Sequence, residues 1–131
     1  MCGILGWCNF GTKPSIEILR KISKNIISRG PDAYGEYSSE NISLIHRRLS
    51  IIDLSEKSNQ PLQNKDTGNV IVFNGEIYNF NEIKNEILEK DKNVKFYSSG
   101  DTEVILKAYE MYGIDLLLDK LDGMFAFAIW D

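Results

Sequence analysis

The sequence predicts an α+β domain in which antiparallel hairpins are layered with amphipathic helices. Short apolar or β-branched segments recur along the chain, and two or three stretches with helical apolar spacing lie between them. The predicted order of elements is β-α-β-β-β-α-α-β, which is typical of layered α+β domains. The 131 residues suffice for one domain with a proper core and not for two.

The N-terminal half is expected to contain a strand, a helix and a hairpin. Residues 2–9 are apolar on both faces, which predicts an inner strand covered on both sides. Apolar residues at helical spacing predict a helix that starts at 13–15, with Ser15 as its N-cap, and ends near Ser28. The Arg29–Asp32 segment breaks this helix, and strands at 34–38 and 42–47 form a hairpin.

The C-terminal half is expected to contain two strands and two main helices after a long loop. The polar loop at 54–68 is long for a compact domain, and loops of this kind are often functional. Asn74-Gly75 is a strong turn signal that should end the strand before it. The expected elements are a strand at 69–73, a helix from Asn79, a helix at 102–112 closed by Gly113 with a short helix at 115–120, and a strand at 123–131 buried on both faces.

Composition excludes several classes of function. The net charge of −4 and the absence of a Lys/Arg run argue against a nucleic-acid partner. The longest apolar run is far shorter than the ~18 residues of a membrane span, and no Cys/His cluster suggests a metal. Cys2 and Cys8 would lie ~20 Å apart along one strand, so they should not form a disulfide. Cys8 is expected to be a buried thiol, and free thiols indicate a reducing compartment, which predicts a cytoplasmic protein.

Cys2 is the candidate nucleophile. It becomes the N-terminal residue once Met1 is removed, and its α-amine then lies beside the sulfur and can act as a base near neutral pH. A small apolar residue at the start of a strand is the competing interpretation. A Ser-His-Asp triad would have to use His46, the single histidine, and no serine lies in a nucleophile elbow.

Four further motifs decide between these interpretations. They are Arg29-Gly30-Pro31-Asp32-Ala33-Tyr34-Gly35, Arg48-Leu49-Ser50-Ile51-Ile52-Asp53, Asn74-Gly75-Glu76-Ile77-Tyr78-Asn79 and Ser99-Gly100-Asp101-Thr102-Glu103. Together with Met1-Cys2-Gly3-Ile4, they resemble the glutaminase half of the asparagine synthetases, a class II glutamine amidotransferase within the N-terminal-nucleophile hydrolases. The resemblance covers nearly the whole chain, with five motifs in the same order and at compatible spacings.

The resemblance implies a four-layer αββα sandwich of the N-terminal-nucleophile hydrolase type. Residues 1–131 would be a glutamine amidotransferase type 2 domain that is truncated at its C-terminus, because relatives continue well beyond Trp130-Asp131. The implied substrate is L-glutamine, and the implied partner is a synthetase domain that uses its ammonia to make asparagine from aspartate. ATP and magnesium would belong to that missing domain, so no cofactor is expected here. The acceptor of the ammonia and the oligomeric state, a homodimer included, stay open.

The resemblance also implies a role for each site residue. Cys2 attacks the glutamine side-chain amide, while the Asn74 side chain and the Gly75 N–H form an oxyanion hole. Arg48 binds the substrate α-carboxylate, and Glu76 and Asp101 lie near its α-ammonium group. The backbone of the next four residues after Arg48 lines the same pocket: Leu49, Ser50, Ile51 and Ile52.

Two alternatives to glutamine hydrolysis are compatible with the sequence. A non-catalytic truncated fragment or binding module would keep the pocket without a sheet long enough to hold it. An N-terminal-nucleophile amidase could act on a different amide, although Arg48 and Asp101 suit an amino-acid head group. Arg29 and Asp32 are interpreted as structural residues that fix their turn.

Overall fold

Two three-stranded antiparallel sheets form the framework in a computed structural model, which describes residues 1–9, 11 and 15–131. The first sheet, in the order β1-β3-β2, contains Gly3–Cys8 (β1), Ala33–Ser38 (β2) and Ile42–Arg48 (β3). The second, in the order β4-β5-β6, contains Leu62–Gln63 (β4), Val70–Ile77 (β5) and Gly123–Trp130 (β6). The helices are Ile16–Ser23 (α1), Phe80–Lys90 (α2) and Asp101–Lys120 (α3), with 3₁₀ segments at Lys24–Arg29 and Glu56–Ser58. These elements confirm the predicted α+β class.

β5 is buried on both faces because it separates two apolar clusters. Val70 and Val72 face the first sheet and pack with Ile42 and Leu44 of β3. The alternate residues of β5 face the other way, as the two-residue period of a strand requires. On that side the second cluster is formed with α2 and α3, and its most buried members are Ile71, Phe73, Ile77, Ile83, Ile87, Val104, Ile105, Leu106, Ala108 and Leu117.

The expectation that the first and last strands are covered on both faces is wrong for the described part of the chain. β1 and β6 are both edge strands there, each with one neighbour. β6 alternates between half-buried and exposed residues, and Met124 is 68% exposed. Cys8, expected to be a buried thiol, is a free and exposed cysteine. Apolar residues on both faces are typical of inner strands, but the described residues supply no layer over the second face.

The Asn74-Gly75 turn is also a wrong prediction, since β5 continues through both residues to Ile77. Its pairing with β6 is unbroken from Val70↔Trp130 to Ile77↔Gly123. Gly75 has a φ of 152°, and a Cβ there would lie 2.2 Å from the Met124 carbonyl oxygen. Glycine is therefore required because β6 approaches closely, and no turn is involved.

The helix ends agree in part with the sequence signals. The Ser15 side chain accepts a hydrogen bond from the Ile18 N–H, which confirms the N-cap, whereas the predicted start at 13–14 lies outside the described residues. Asn79 precedes α2 without capping it, and its side chain bonds to the Lys120 carbonyl instead. The predicted stop at Gly113 is a break with φ 76°, after which α3 resumes. None of the helices that the structure describes combines the length and the apolar character required to cross a bilayer.

Candidate active site

A cavity of about 250 Å³ lies where the N-terminus meets the end of β3, the later part of β5 and the start of α3. It is smaller than the ~300–1,000 Å³ pockets of drug-sized ligands, so its size suits a small metabolite. Ser50 and Asn74 are not in the wall of this cavity. The predicted site residues that line it are Cys2, Arg48, Leu49, Ile51, Ile52, Gly75, Glu76 and Asp101.

Cys2 is half-buried at the start of β1, and its sulfur lies against the backbone that follows β3. The Leu49 N–H donates to Sγ at 3.3 Å, and the thiol reaches the Leu49 carbonyl oxygen at 3.7 Å. Pairing of Gly3 with Arg47 brings these two segments together. The Leu49 N–H that points at the sulfur therefore holds the Cys2 side chain at the wall of the cavity.

The Arg29–Asp32 turn holds both sides of this contact. Arg29 Nε donates to the Cys2 carbonyl oxygen at 3.0 Å. Asp32 Oδ2 accepts a hydrogen bond from the Ser50 N–H at 2.8 Å. These bonds agree with the structural interpretation of the turn, because they hold Cys2 on one side and residue 50 on the other.

Arg48 is nearly buried and organises the loop after β3. Its Nη1 donates to the Ser55 carbonyl oxygen at 2.7 Å and to Asn59 Oδ1 at 2.8 Å, and its Nη2 donates to the Asp53 carbonyl oxygen. A buried cation requires such partners to offset its lost hydration. A guanidinium has about five N–H donors, so these three bonds leave roughly two for another partner.

Asp101 lies at the N-terminus of α3, with 6% of its surface exposed. Its Oδ2 accepts a hydrogen bond from the Ile77 N–H at 3.2 Å. Burial raises the pKa of the Asp101 carboxyl, and the neighbouring charge of Glu76 acts in the same direction. A cation bound here would relieve both effects, so the site is chemically suited to an ammonium group.

Two carboxylates outside the predicted set fix the segment before α3. Asp53 Oδ2 accepts hydrogen bonds from the Ser99 N–H and hydroxyl, and bonds from Ser55 and Ser99 hold the pKa of Asp53 well below its usual range. Glu103 accepts hydrogen bonds from the Tyr97 and Ser98 N–H groups. The third-position glutamate of a helix start is a readable signal for Glu103, but no local pattern pairs Asp53 with Ser99.

The single histidine, His46, is buried between the sheets. Its Nε2 lies 3.1 Å from the Phe73 carbonyl oxygen, and because a carbonyl can only accept, Nε2 carries the proton. Burial is the main cause that lowers the pKa of His46 to about 4. Its Nδ1 has no hydrogen-bond partner among the described residues, so they form no Ser-His-Asp relay.

The Asn74 side-chain oxygen is likewise buried without a partner in the described part of the chain. A larger cavity, of about 460 Å³, lies beside Lys57, Tyr97 and Lys107 and contains none of the predicted site residues. The smaller cavity is therefore the candidate active site, because its lining contains the predicted site residues.

Within residues 1–9, 11 and 15–131, no group of three or more His, Cys, Asp or Glu side chains is arranged to hold a metal ion.

The sequence matches the family model of the glutamine amidotransferase domain over residues 1–131. It is 40% identical over 135 residues to a glutamine-hydrolysing asparagine synthetase of Bacillus subtilis and 40% identical over 134 residues to asparagine synthetase B of Escherichia coli. It is also 38% identical over 125 residues to the amidase chry2 of Gibberella zeae. The two synthetases match 100% of the chain and the amidase 94%, whereas the chain spans 21%, 23% and 18% of their lengths. The chain belongs to the glutamine amidotransferase domain family.

Proposed function

We propose that this domain hydrolyses L-glutamine to glutamate and ammonia, with Cys2 as the nucleophile. The observation that carries the proposal is the shared cavity, whose lining includes the cysteine Cys2, the glycine Gly75 and the charged residues Arg48 and Asp101. These groups are the nucleophile, an oxyanion donor and the two binding groups that an amino acid with a side-chain amide requires.

The reaction begins when the α-amine of Cys2 takes the proton of the thiol and the sulfur attacks the side-chain amide carbon of glutamine. A C–S bond forms, and the amide oxygen becomes an oxyanion that the Asn74 side chain and the Gly75 N–H stabilise. The C–N bond then breaks, the nitrogen takes a proton from the α-ammonium group of Cys2, and ammonia leaves. Water, deprotonated by the same α-amine, hydrolyses the thioester to release glutamate and the thiol.

This mechanism requires the removal of Met1, because a peptide bond to Met1 would leave Cys2 without a basic amine. Met1 is 65% exposed and borders the cavity, so it is accessible to an aminopeptidase. Its removal would also open the space beside Cys2 to the substrate.

The head group of glutamine is bound by opposite charges on two walls of the cavity. Arg48 pairs with the α-carboxylate, and its bonds to the loop at 53–59 hold its guanidinium in place. Asp101 and Glu76 attract the α-ammonium group, and Leu49, Ile51 and Ile52 complete the wall around it.

The ammonia serves ATP-dependent synthesis of asparagine from aspartate in a synthetase domain outside these residues, which would hold the ATP and magnesium. The names of the Bacillus subtilis and Escherichia coli relatives support this assignment. We further propose that residues 1–131 are a partial type 2 amidotransferase domain of a cytoplasmic enzyme, whose complete form is the four-layer αββα sandwich. The packing of β3 on β5 and of α2 and α3 on the second sheet supports that architecture.

Matched cysteine variants test the nucleophile. In the full-length protein, Cys2→Ala should abolish ammonia release from glutamine, whereas Cys8→Ala, at an exposed thiol outside the cavity lining, should retain it. Intact mass should show that Met1 is absent. Ammonia release that survives in Cys2→Ala would contradict the proposal.

A second candidate function is that of an amidase with a different amide substrate, and the similarity to the amidase of Gibberella zeae supports it. Arg48 and Asp101 in one cavity favour an amino-acid amide. Comparison of glutamine with amides that lack the α-carboxylate or the α-amine separates the two. An equal rate on the truncated amides would favour the second candidate, and inactivity with weak thermal cooperativity would favour the non-catalytic fragment.

A further inference from the structure

The edge of β5 that faces the cavity is covered by a strand for only part of its length. β4 pairs with Val70 and Ile71 and then ends. From that point, among the described residues, side chains take the place of a neighbouring strand. The Phe73 N–H donates to Gln60 Oε1 at 2.6 Å, and the Phe73 carbonyl oxygen accepts from His46 Nε2 at 3.1 Å.

Gly75 lies on the same edge between two anchored residues. The N–H groups of Phe73 and Ile77 both point away from β6, the first to Gln60 and the second to Asp101. N–H groups two residues apart along a strand point to the same edge. Gly75 therefore directs its N–H to the cavity edge, where it is available to a developing oxyanion.

Gln60 connects this edge to the start of α3. The residue is 7% exposed, and its Nε2 donates to Thr102 Oγ1 at 3.1 Å while its Oε1 holds the Phe73 N–H. Both ends of the carboxamide are satisfied, which fixes its orientation and defines which end accepts. Thr102 follows Asp101 in α3, so one side chain spans the two walls of the cavity.

We propose that Gln60 is a positioning residue that holds the Phe73 peptide group and thereby aligns the Gly75 N–H with the oxyanion. The inference rests on the proposed glutaminase function. Removing the carboxamide leaves the Phe73 N–H without its hydrogen-bond partner. The bond from His46 to the Phe73 carbonyl oxygen and the pairing with β6 still hold the strand in place. The expected defect is therefore a donor that is displaced, and not a site that is lost.

Such a displacement should act on the transition state more than on the bound substrate. Loss of an oxyanion donor lowers kcat by ~10²–10³-fold, and small misplacements of catalytic groups reach ~10²-fold, so we expect a loss of about 10–100-fold. Contacts with the α-carboxylate and α-ammonium groups lie on other residues and should persist. If Gln60 only stabilised the fold, its loss would not lower kcat while leaving substrate binding unchanged.

The test compares Gln60→Met, Gln60→Glu and the control Gln63→Met in the full-length protein. Gln63 lies on β4, is exposed and makes one long bond of 3.5 Å to the Gly68 carbonyl oxygen. The measurements are kcat and KM for glutamine, inhibition by L-glutamate, and inhibition by L-glutamate γ-semialdehyde. The aldehyde accepts the Cys2 sulfur and places an oxygen where the oxyanion forms, whereas glutamate binds without reaction.

Gln60→Met should lower kcat by about 10–100-fold and weaken inhibition by the aldehyde by the same factor, with KM and glutamate inhibition within about twofold. Gln60→Glu retains an acceptor for the Phe73 N–H and should recover most of kcat, and Gln63→Met should match the wild type. Unchanged kcat in Gln60→Met, or parallel losses for the aldehyde and glutamate, would overturn the role of Gln60. A wild-type protein that releases no ammonia would instead overturn the proposed function.

Discussion

The buried His46 makes the stability of the fold depend on pH in a predictable direction. Its pKa is about 4 in the folded protein and ~6.5 in an unfolded chain. Below pH ~6.5 the unfolded state therefore binds a proton that the folded state rejects, so the unfolded state binds more protons. Stability is complete above pH ~6.5 and falls as the pH decreases towards 4.

The magnitude follows from the two pKa values. At pH 5 the unfolded histidine is almost fully protonated and the folded one is almost neutral, which corresponds to a loss of about 2 kcal/mol. The limit at lower pH is about 3 kcal/mol, set by the difference between the two pKa values. Against a typical total of ~5–15 kcal/mol, this is a large fraction of the free energy of unfolding.

The assay is urea denaturation of the wild type and of His46→Gln at pH 7 and pH 5. Glutamine keeps an N–H that can donate to the Phe73 carbonyl oxygen but does not titrate in this range. Carboxylates, among them Asp101 with a pKa raised by burial, contribute to both proteins and cancel in the difference. The wild type should lose about 2 kcal/mol more than the variant between pH 7 and pH 5. Equal losses in the two proteins would refute a neutral, buried His46.

Three further substitutions test individual contacts of the site. Gly75→Ala should destabilise the fold by about 2 kcal/mol or more in urea denaturation, because its Cβ would collide with the Met124 carbonyl oxygen, and wild-type stability would contradict the close approach of the strands. Asp101→Asn should raise KM for glutamine by about 10–100-fold with a smaller change in kcat, and an unchanged KM would remove Asp101 from the ammonium site. Arg29→Lys should lower kcat by about 10-fold at constant KM, because a lysine ammonium does not reproduce the Nε contact with the Cys2 carbonyl oxygen, and full activity would show that this contact is dispensable.

The sequence predicted the parts of this molecule that depend on local pattern or on motif order. Apolar periodicity located the helices, and the five motifs predicted that Cys2, Arg48 and Asp101 serve one site, which agrees with their shared cavity. The chemical roles of these residues stay predictions. Asn74-Gly75 was misread because the same dipeptide that favours a turn also suits a strand in close contact with its neighbour.

The supporting contacts could not be predicted because they join distant segments without a repeated pattern. Gln60 meets Thr102 across 42 positions of sequence, and Asp53 meets Ser99 across 46. Gln60 lies in the polar loop at 54–68, where composition indicates only a surface connection, and Asp53 directly precedes that loop. Their partners depend on how the two sheets and α3 pack, which no local window of sequence contains.

The shortness of β4 has a chemical reason if Gly75 donates to the oxyanion. A longer β4 would pair with this edge of β5 and occupy the Gly75 N–H, which would remove the donor from the reaction. An entirely bare edge would leave the buried N–H groups of Phe73 and Ile77 unsatisfied, at a cost of ~1–3 kcal/mol each. Two side chains meet both requirements. Gln60 accepts the Phe73 N–H and Asp101 accepts the Ile77 N–H, which leaves the Gly75 N–H between them available to the substrate. The loop that carries Gln60 is therefore as much a part of the proposed oxyanion hole as the strand that carries Gly75.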